Sequence, residues 1–214
     1  MTIQVKSAFL SVTLAALMLP AVAQDAATTT PAQPAPVPPS TQKEQNVQHR
    51  AHAQQTRIAN GIKTGELTPE EAARLEKQES KMSKEAREMK EANGGKLSAA
   101  DRAKLEQQQN KVSKEIYQQK HDAQTANQNP TTEVGKRAEN QQDRIANGVA
   151  SGQLTAGEAA KIEQHEANMQ KEVAADRAAN GGKLTPQERR QVNRQQNRSS
   201  RAIYRQKHDA QHRN

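Results

Sequence analysis

RIANGIKTGELTPEEAARLE, from Arg57 to Glu76, and RIANGVASGQLTAGEAAKIE, from Arg144 to Glu163, are the stretches whose reading decides the fold. They align without a gap, 87 residues apart, and the match runs on to IYQQKHDAQ (Ile116 to Gln124) and IYRQKHDAQ (Ile203 to Gln211). Of those 68 positions 35 are identical. Upstream, Val47, Arg50, Ala51, Gln54 and Gln55 recur as Val134, Arg137, Ala138, Gln141 and Gln142. The chain is a duplication, with copy 1 at residues 47–124, a linker at 125–133 and copy 2 at 134–214.

A second repeat, 30 residues long, lies inside each copy. Gly65-Glu66-Leu67-Thr68 returns as Gly95-Lys96-Leu97-Ser98, and in copy 2 as Gly152-Gln153-Leu154-Thr155 and Gly182-Lys183-Leu184-Thr185. Three residues after each hydroxyl stands an acid: Glu71, Asp101, Glu158 or Glu188. That spacing is a capping box, in which hydroxyl and carboxylate satisfy orphan N–H groups around the first helical turn. Pro69 and Pro186 occupy the first helical position, where proline is best tolerated. Asn-Gly pairs at Asn60, Asn93, Asn147 and Asn180 suit helix ends, because glycine accepts a left-handed backbone without strain. Each copy then reads as three helices, at about 45–59, 69–92 and 99–124 and at about 132–146, 156–179 and 186–211. The two longer ones should form an antiparallel hairpin, each arm roughly 36 Å long at 1.5 Å per residue.

The expected fold class is all-α, two tandem copies of a three-helix unit behind a disordered N-terminal segment. Composition pulls the other way. Leu, Ile, Val and Phe make up 19 of the 191 residues from Gln24 onward. So little apolar area normally leaves a chain disordered. The stripes that exist are thin: Leu75, Met82 and Met89 with Ala72 and Ala86; Ile162 and Met169 with Ala159 and Val173; Leu105, Val112 and Ile116; and Val192, Ser199 and Ile203. They form a coiled-coil-like seam with polar gaps, which self-association could complete. Acidic side chains on these helices are expected to lie in solvent with ordinary pKa values.

The N-terminus carries an address. Lys6, the apolar run Ala8 to Leu19 and Pro20-Ala21-Val22-Ala23 have the order of a secretory signal peptide cut near Ala23. The run is too short to span a bilayer comfortably, so no transmembrane span is expected after processing. Residues 24–46 include TTTPAQPAPVPPS and read as a Pro-rich tether. The expected location is periplasmic or secreted. There is no Cys and no Trp, with two Tyr and one Phe, which excludes disulfides, thiol chemistry and an aromatic-lined pocket.

The candidate binding residues lie on the last helix. Arg190, Arg194, Arg198, Arg201 and Arg205 fall within an arc of about 80° on a helical wheel. Copy 1 has Ala103, Gln107, Lys111, Lys114 and Gln118 in those places, so the stripe belongs to copy 2 alone. An arginine row suits carboxylates, phosphates or acidic surfaces. Nucleic acid is disfavoured, because an exported chain has little access to it and the stacking aromatics of single-strand binders are missing. No Ser-His-Asp arrangement, phosphate loop or nucleophile elbow holds together, so catalysis is not expected and no cofactor is implied. His208 and His212 have the i, i+4 spacing of a zinc pair but no third ligand, and His49 and His52 read as surface residues.

The Gly-x-Leu-Thr-x-x-Glu segments resemble the second half of an EF-hand loop. With Gly182 as the loop glycine, however, Arg177, Ala179 and Gly181 stand where calcium needs oxygen ligands, and capping explains the acids. The phrases RIANG, SGQLT-x-x-EA, NGGKLT-x-x-ER and IY-x-QKHDAQ resemble those of uncharacterised bacterial exported α-helical repeat proteins. Thr68, Thr155 and Thr185 are similar to the threonine of Leu-Thr-x-x-Gln periplasmic stress chaperones, with Glu71, Glu158 and Glu188 in place of the glutamine. That resemblance implies a small all-α dimer that holds unfolding proteins. The function expected is a non-enzymatic, exported helical binding module, chaperone-like in one version, for acidic protein surfaces, unfolding proteins or envelope polyanions. A self-assembling envelope protein, acting as a homo-oligomer, and a cation-binding descendant of EF-hands are the alternatives.

Overall fold

Six helices and no strand make up the described part of the computed structural model, which covers residues 39–126 and 131–212, with side chains from Lys43. They are α1 (Pro39–Thr64), α2 (Pro69–Ala92), α3 (Ala99–Lys120), α4 (Glu133–Ser151), α5 (Ala156–Ala179) and α6 (Pro186–Lys207). The all-α expectation holds. The expected signal peptide and most of the stretch read as a tether lie outside the described residues.

All four predicted capping boxes are formed. Thr68, Ser98, Thr155 and Thr185 each accept from the backbone N–H three residues on, and Glu71, Asp101, Glu158 and Glu188 reach back to the cap amide. The hydrogen bonds from the Thr68 and Thr185 amides to those carboxylates are both 2.8 Å. These caps fix α2 and α5, and α3 and α6, in equivalent places. The hairpin turns also close alike. Gly94 and Gly95 take φ of 63° and 87°, and Gly181 and Gly182 take 61° and 88°. The Gly95 and Gly182 amides donate to the Lys90 and Arg177 carbonyls at 2.7 Å.

The first helix of each copy differs from its sequence reading. Helix α1 begins at Pro39, inside the stretch read as tether, and neither Asn60-Gly61 nor Asn147-Gly148 stops a helix. The turn comes later, at Gly65 (φ 71°) and Gly152 (φ 75°). Gly61 and Gly148 serve packing instead. A Cβ on either would lie 2.7 Å from Leu67 or Leu154, closer than a side chain allows. The glycines let the buried staple leucine sit against the helix backbone.

The two copies share their core. Ser80 lies against Gly157, and Glu70 pairs with Lys171 at 2.7 Å, so α2 and α5 cross antiparallel. One buried cluster joins Ile58, Ile62, Leu75 and Met82 of copy 1 to Ile145, Val149 and Ile162 of copy 2. Two smaller clusters lie toward the hairpin turns, around Val47, Leu97 and Leu105 and around Val134, Met169 and Val192. This placement answers the composition argument. Of the 18 described Leu, Ile and Val residues 16 are buried, and Val173 and Leu184 are half-buried. Each fully buried one contributes roughly 1.5–3 kcal/mol.

Glutamines fill the polar gaps in the seams. Gln54 donates to the Gln109 carbonyl at 2.7 Å, and Gln109 to the Val47 carbonyl at 2.8 Å. Gln141 and Gln196 repeat the pattern in copy 2, each at 2.9 Å. These buried amides bind α1 to α3 and α4 to α6 through bonds that water cannot replace, where an unmade bond would be costly.

Candidate functional site: the basic face of helix α6

Helix α6 packs on α4 and α5 through Val192, Gln196, Ser199 and Ile203. With that face inward, the helical period turns Arg190, Arg194, Arg198, Arg201 and Arg205 outward, and all five are exposed. The row is about 22 Å long at 1.5 Å per residue. None of the five has a hydrogen bond or an acidic partner among the described residues. Neighbouring side chains do pair, since Gln191 and Gln195 donate to the two oxygens of Glu172 at 2.6 and 2.7 Å. Glu172 of α5 is thus engaged by amides of α6.

The equivalent face of α3 is exposed too, with Ala103, Gln107, Lys111, Lys114 and Gln118 along it. A second contrast adds to the basic excess of copy 2. Lys120 pairs with Glu66 at 3.1 Å, which holds the Glu66 carboxyl below its usual range. In copy 2 Gln153 replaces Glu66, and Lys207 meets no acid among the described residues; burial and then the charge of Arg144 lower its pKa. Next to these basic residues stands Tyr204, exposed and stacked on His208 at 4.2 Å, with Tyr117 on His121 the same in copy 1.

The remaining candidates separate. Helix α6 ends at Lys207 and His208 is its C-cap, so His208 and His212 do not share the helical face that the zinc spacing presupposes. His49 and His52 are exposed on α1. The capping acids point to helix N-termini, and Thr185 and Asn180 hold Glu188 below the ordinary carboxylate range. A groove of about 460 Å³ runs between the copies beside Thr68, Met169 and Arg177, and its Glu70 and Lys171 pair with each other. No group of three metal-ligating side chains is brought together among the described residues.

One constellation escaped the sequence reading. The expectation that acids lie in solvent fails at Glu76, Glu79, Glu163 and Glu166, all buried along α2 and α5. Gln55 donates to Glu76 at 2.8 Å and Gln142 to Glu163 at 3.0 Å. Ser199, a polar gap in the α6 seam, donates to Glu166. Burial pushes Glu163 well above the ordinary value; the Gln142 bond opposes this, and the charges of Glu166 and Glu76 add to it. Burial likewise raises Glu166 to about 7, against the bond from Ser199. A possible signal was the repeated Glu-x-x-Glu spacing, Glu76/Glu79 and Glu163/Glu166, set on the same side as Leu75 and Ile162.

No helix among the described residues is long and apolar enough to cross a membrane. No family model, curated protein sequence or solved structure matches the chain, so the assignment of these surfaces rests on their own geometry.

Proposed function

We propose that the protein is a non-enzymatic, exported helical binding module whose α6 arginine row takes acidic partner surfaces. The observation that carries this reading is the row itself: five exposed guanidinium groups on one face, without an acid opposite them among the described residues. Unmatched like charges repel one another, and a partner with carboxylates at matching intervals relieves that repulsion through charge-assisted hydrogen bonds. The exposed large hydrophobic side chains among the described residues are Tyr117 and Tyr204. The reading therefore rests on charge, and the unfolding-client version has less to support it. Export is inferred from the signal-like N-terminus.

The test is the anisotropy of labelled poly-L-glutamate titrated with the mature chain at rising salt, with anionic phospholipid vesicles in parallel. Binding to polyglutamate that weakens steeply with salt, and by about tenfold or more in R194Q/R198Q/R201Q, is expected. Equal binding by parent and variant removes the row from the function, and a preference for vesicles moves the partner to a lipid surface.

A further inference from the structure

We propose that the junction between the two copies is a proton-dependent latch, in which Glu163 of α5, enclosed against Glu76 of α2, and Glu166 one turn along hold the copies together while neutral and release them on ionising. The geometry supplies the device. Gly157 against Ser80 and Lys171 against Glu70 bracket the α2–α5 crossing, with Glu76 and Glu163 between those two contacts. Glu163 is fully buried and Glu166 is 1% exposed. One oxygen of Glu163 accepts from Gln142, and the other has no hydrogen-bond partner among the described residues.

The groups packed around them are these. From α2 comes Glu76, and from α5 itself Glu166 faces Glu163; Glu79 is also buried on α2, one turn beyond Glu76. Helix α4 contributes the Gln142 amide and α6 the Ser199 hydroxyl, while Gln55 of α1 holds Glu76. His165 and Lys161 of α5, like Arg74 and Lys77 of α2, are exposed. No lysine, arginine or histidine among the described residues pairs with Glu163 or Glu166. Two carboxylates so enclosed, with no cation to offset them, strongly favour the neutral form.

The direction follows from linkage. A carboxyl whose pKa is raised by enclosure binds its proton more tightly when the junction is closed. Closure is therefore fully favoured below the ordinary value of 4.5 and is lost as pH rises through about 7. Where opening returns Glu166 to its ordinary value, that residue alone makes opening about fortyfold more favourable between pH 5 and pH 7. Opening exposes the shared core around Ile58, Ile145 and Ile162, which is covered in the closed arrangement. None of this depends on the arginine row, and either proposal can fail alone.

The chain has no cysteine, so E70C/K171C places a unique spin-label pair across the junction on two exposed side chains. Double electron–electron resonance on the full mature chain should show one short distance at pH 5 and a growing long-distance population by pH 8. With E163Q/E166Q added, the short distance should persist at both. Unchanged distances in the labelled parent, opening of the glutamine variant to the same extent, or reclosure by calcium at pH 8 would each overturn the latch. If the double variant loses its helicity, the urea midpoint of the unsubstituted chain decides: it must fall from pH 5 to pH 8, and a flat or rising midpoint overturns the proposal.

Discussion

Helices α3 and α6 share a length, a capping box, a C-cap histidine and an inward row, yet present different faces to solvent. Inward, Leu105, Gln109, Val112 and Ile116 correspond to Val192, Gln196, Ser199 and Ile203, and seven of these eight are buried apolar groups or carbonyl-bonded glutamines. Outward, two lysines and three uncharged residues face five arginines. The backbone is set by caps, glycine contacts and the inward row, all of which the copies hold in common. The outward face carries no such constraint and is where one copy can acquire a charge pattern without disturbing the fold. Ser199 is the inward exception, and it is tied to Glu166.

If the cores are equivalent, Leu67→Ala and Leu154→Ala should each lower stability by about 2–5 kcal/mol, to a similar extent, because both leucines are fully buried against a glycine. Urea unfolding checks this, and a large difference between the two would break the symmetry of the shared core. The next effect is asymmetric. Glu166 is held by Ser199, whereas Val112 stands at the matching place in copy 1. Its raised pKa makes folding stability fall as pH climbs from 4.5 through about 7, by up to roughly 3 kcal/mol. Glu166→Gln should flatten that fall, and a parent chain that gains stability over this range contradicts the burial argument. Smaller again, Thr68→Ala and Thr155→Ala should each cost about 1 kcal/mol in thermal unfolding, equally in the two copies.

Much of this fold was legible in the chain. The Thr-x-x-Glu spacing gave the starts of four helices, because a capping box is written entirely in local sequence. The Asn-Gly-Gly turns were legible for the same reason. Asn60-Gly61 and Asn147-Gly148 misled, since a glycine demanded by a neighbour six residues on looks no different in sequence from one demanded by a left-handed turn. The arginine face was legible from helical period alone. The buried Glu163 and Glu166 were not, because their burial depends on the antiparallel crossing of α2 and α5, which no local pattern specifies. A glutamate beside an isoleucine reads as surface until a second helix covers it.

The most direct measurement compares the two outward faces in one titration of labelled poly-L-glutamate: the parent, an α6 variant (R194Q/R198Q/R201Q) and an α3 variant (K111Q/K114Q). The account predicts that the α6 changes weaken binding by about tenfold or more and flatten its salt dependence, while the α3 changes leave it within about twofold. Equal losses from both helices would mean that net charge alone attracts the ligand, and no loss from α6 would contradict the assignment of its arginine row.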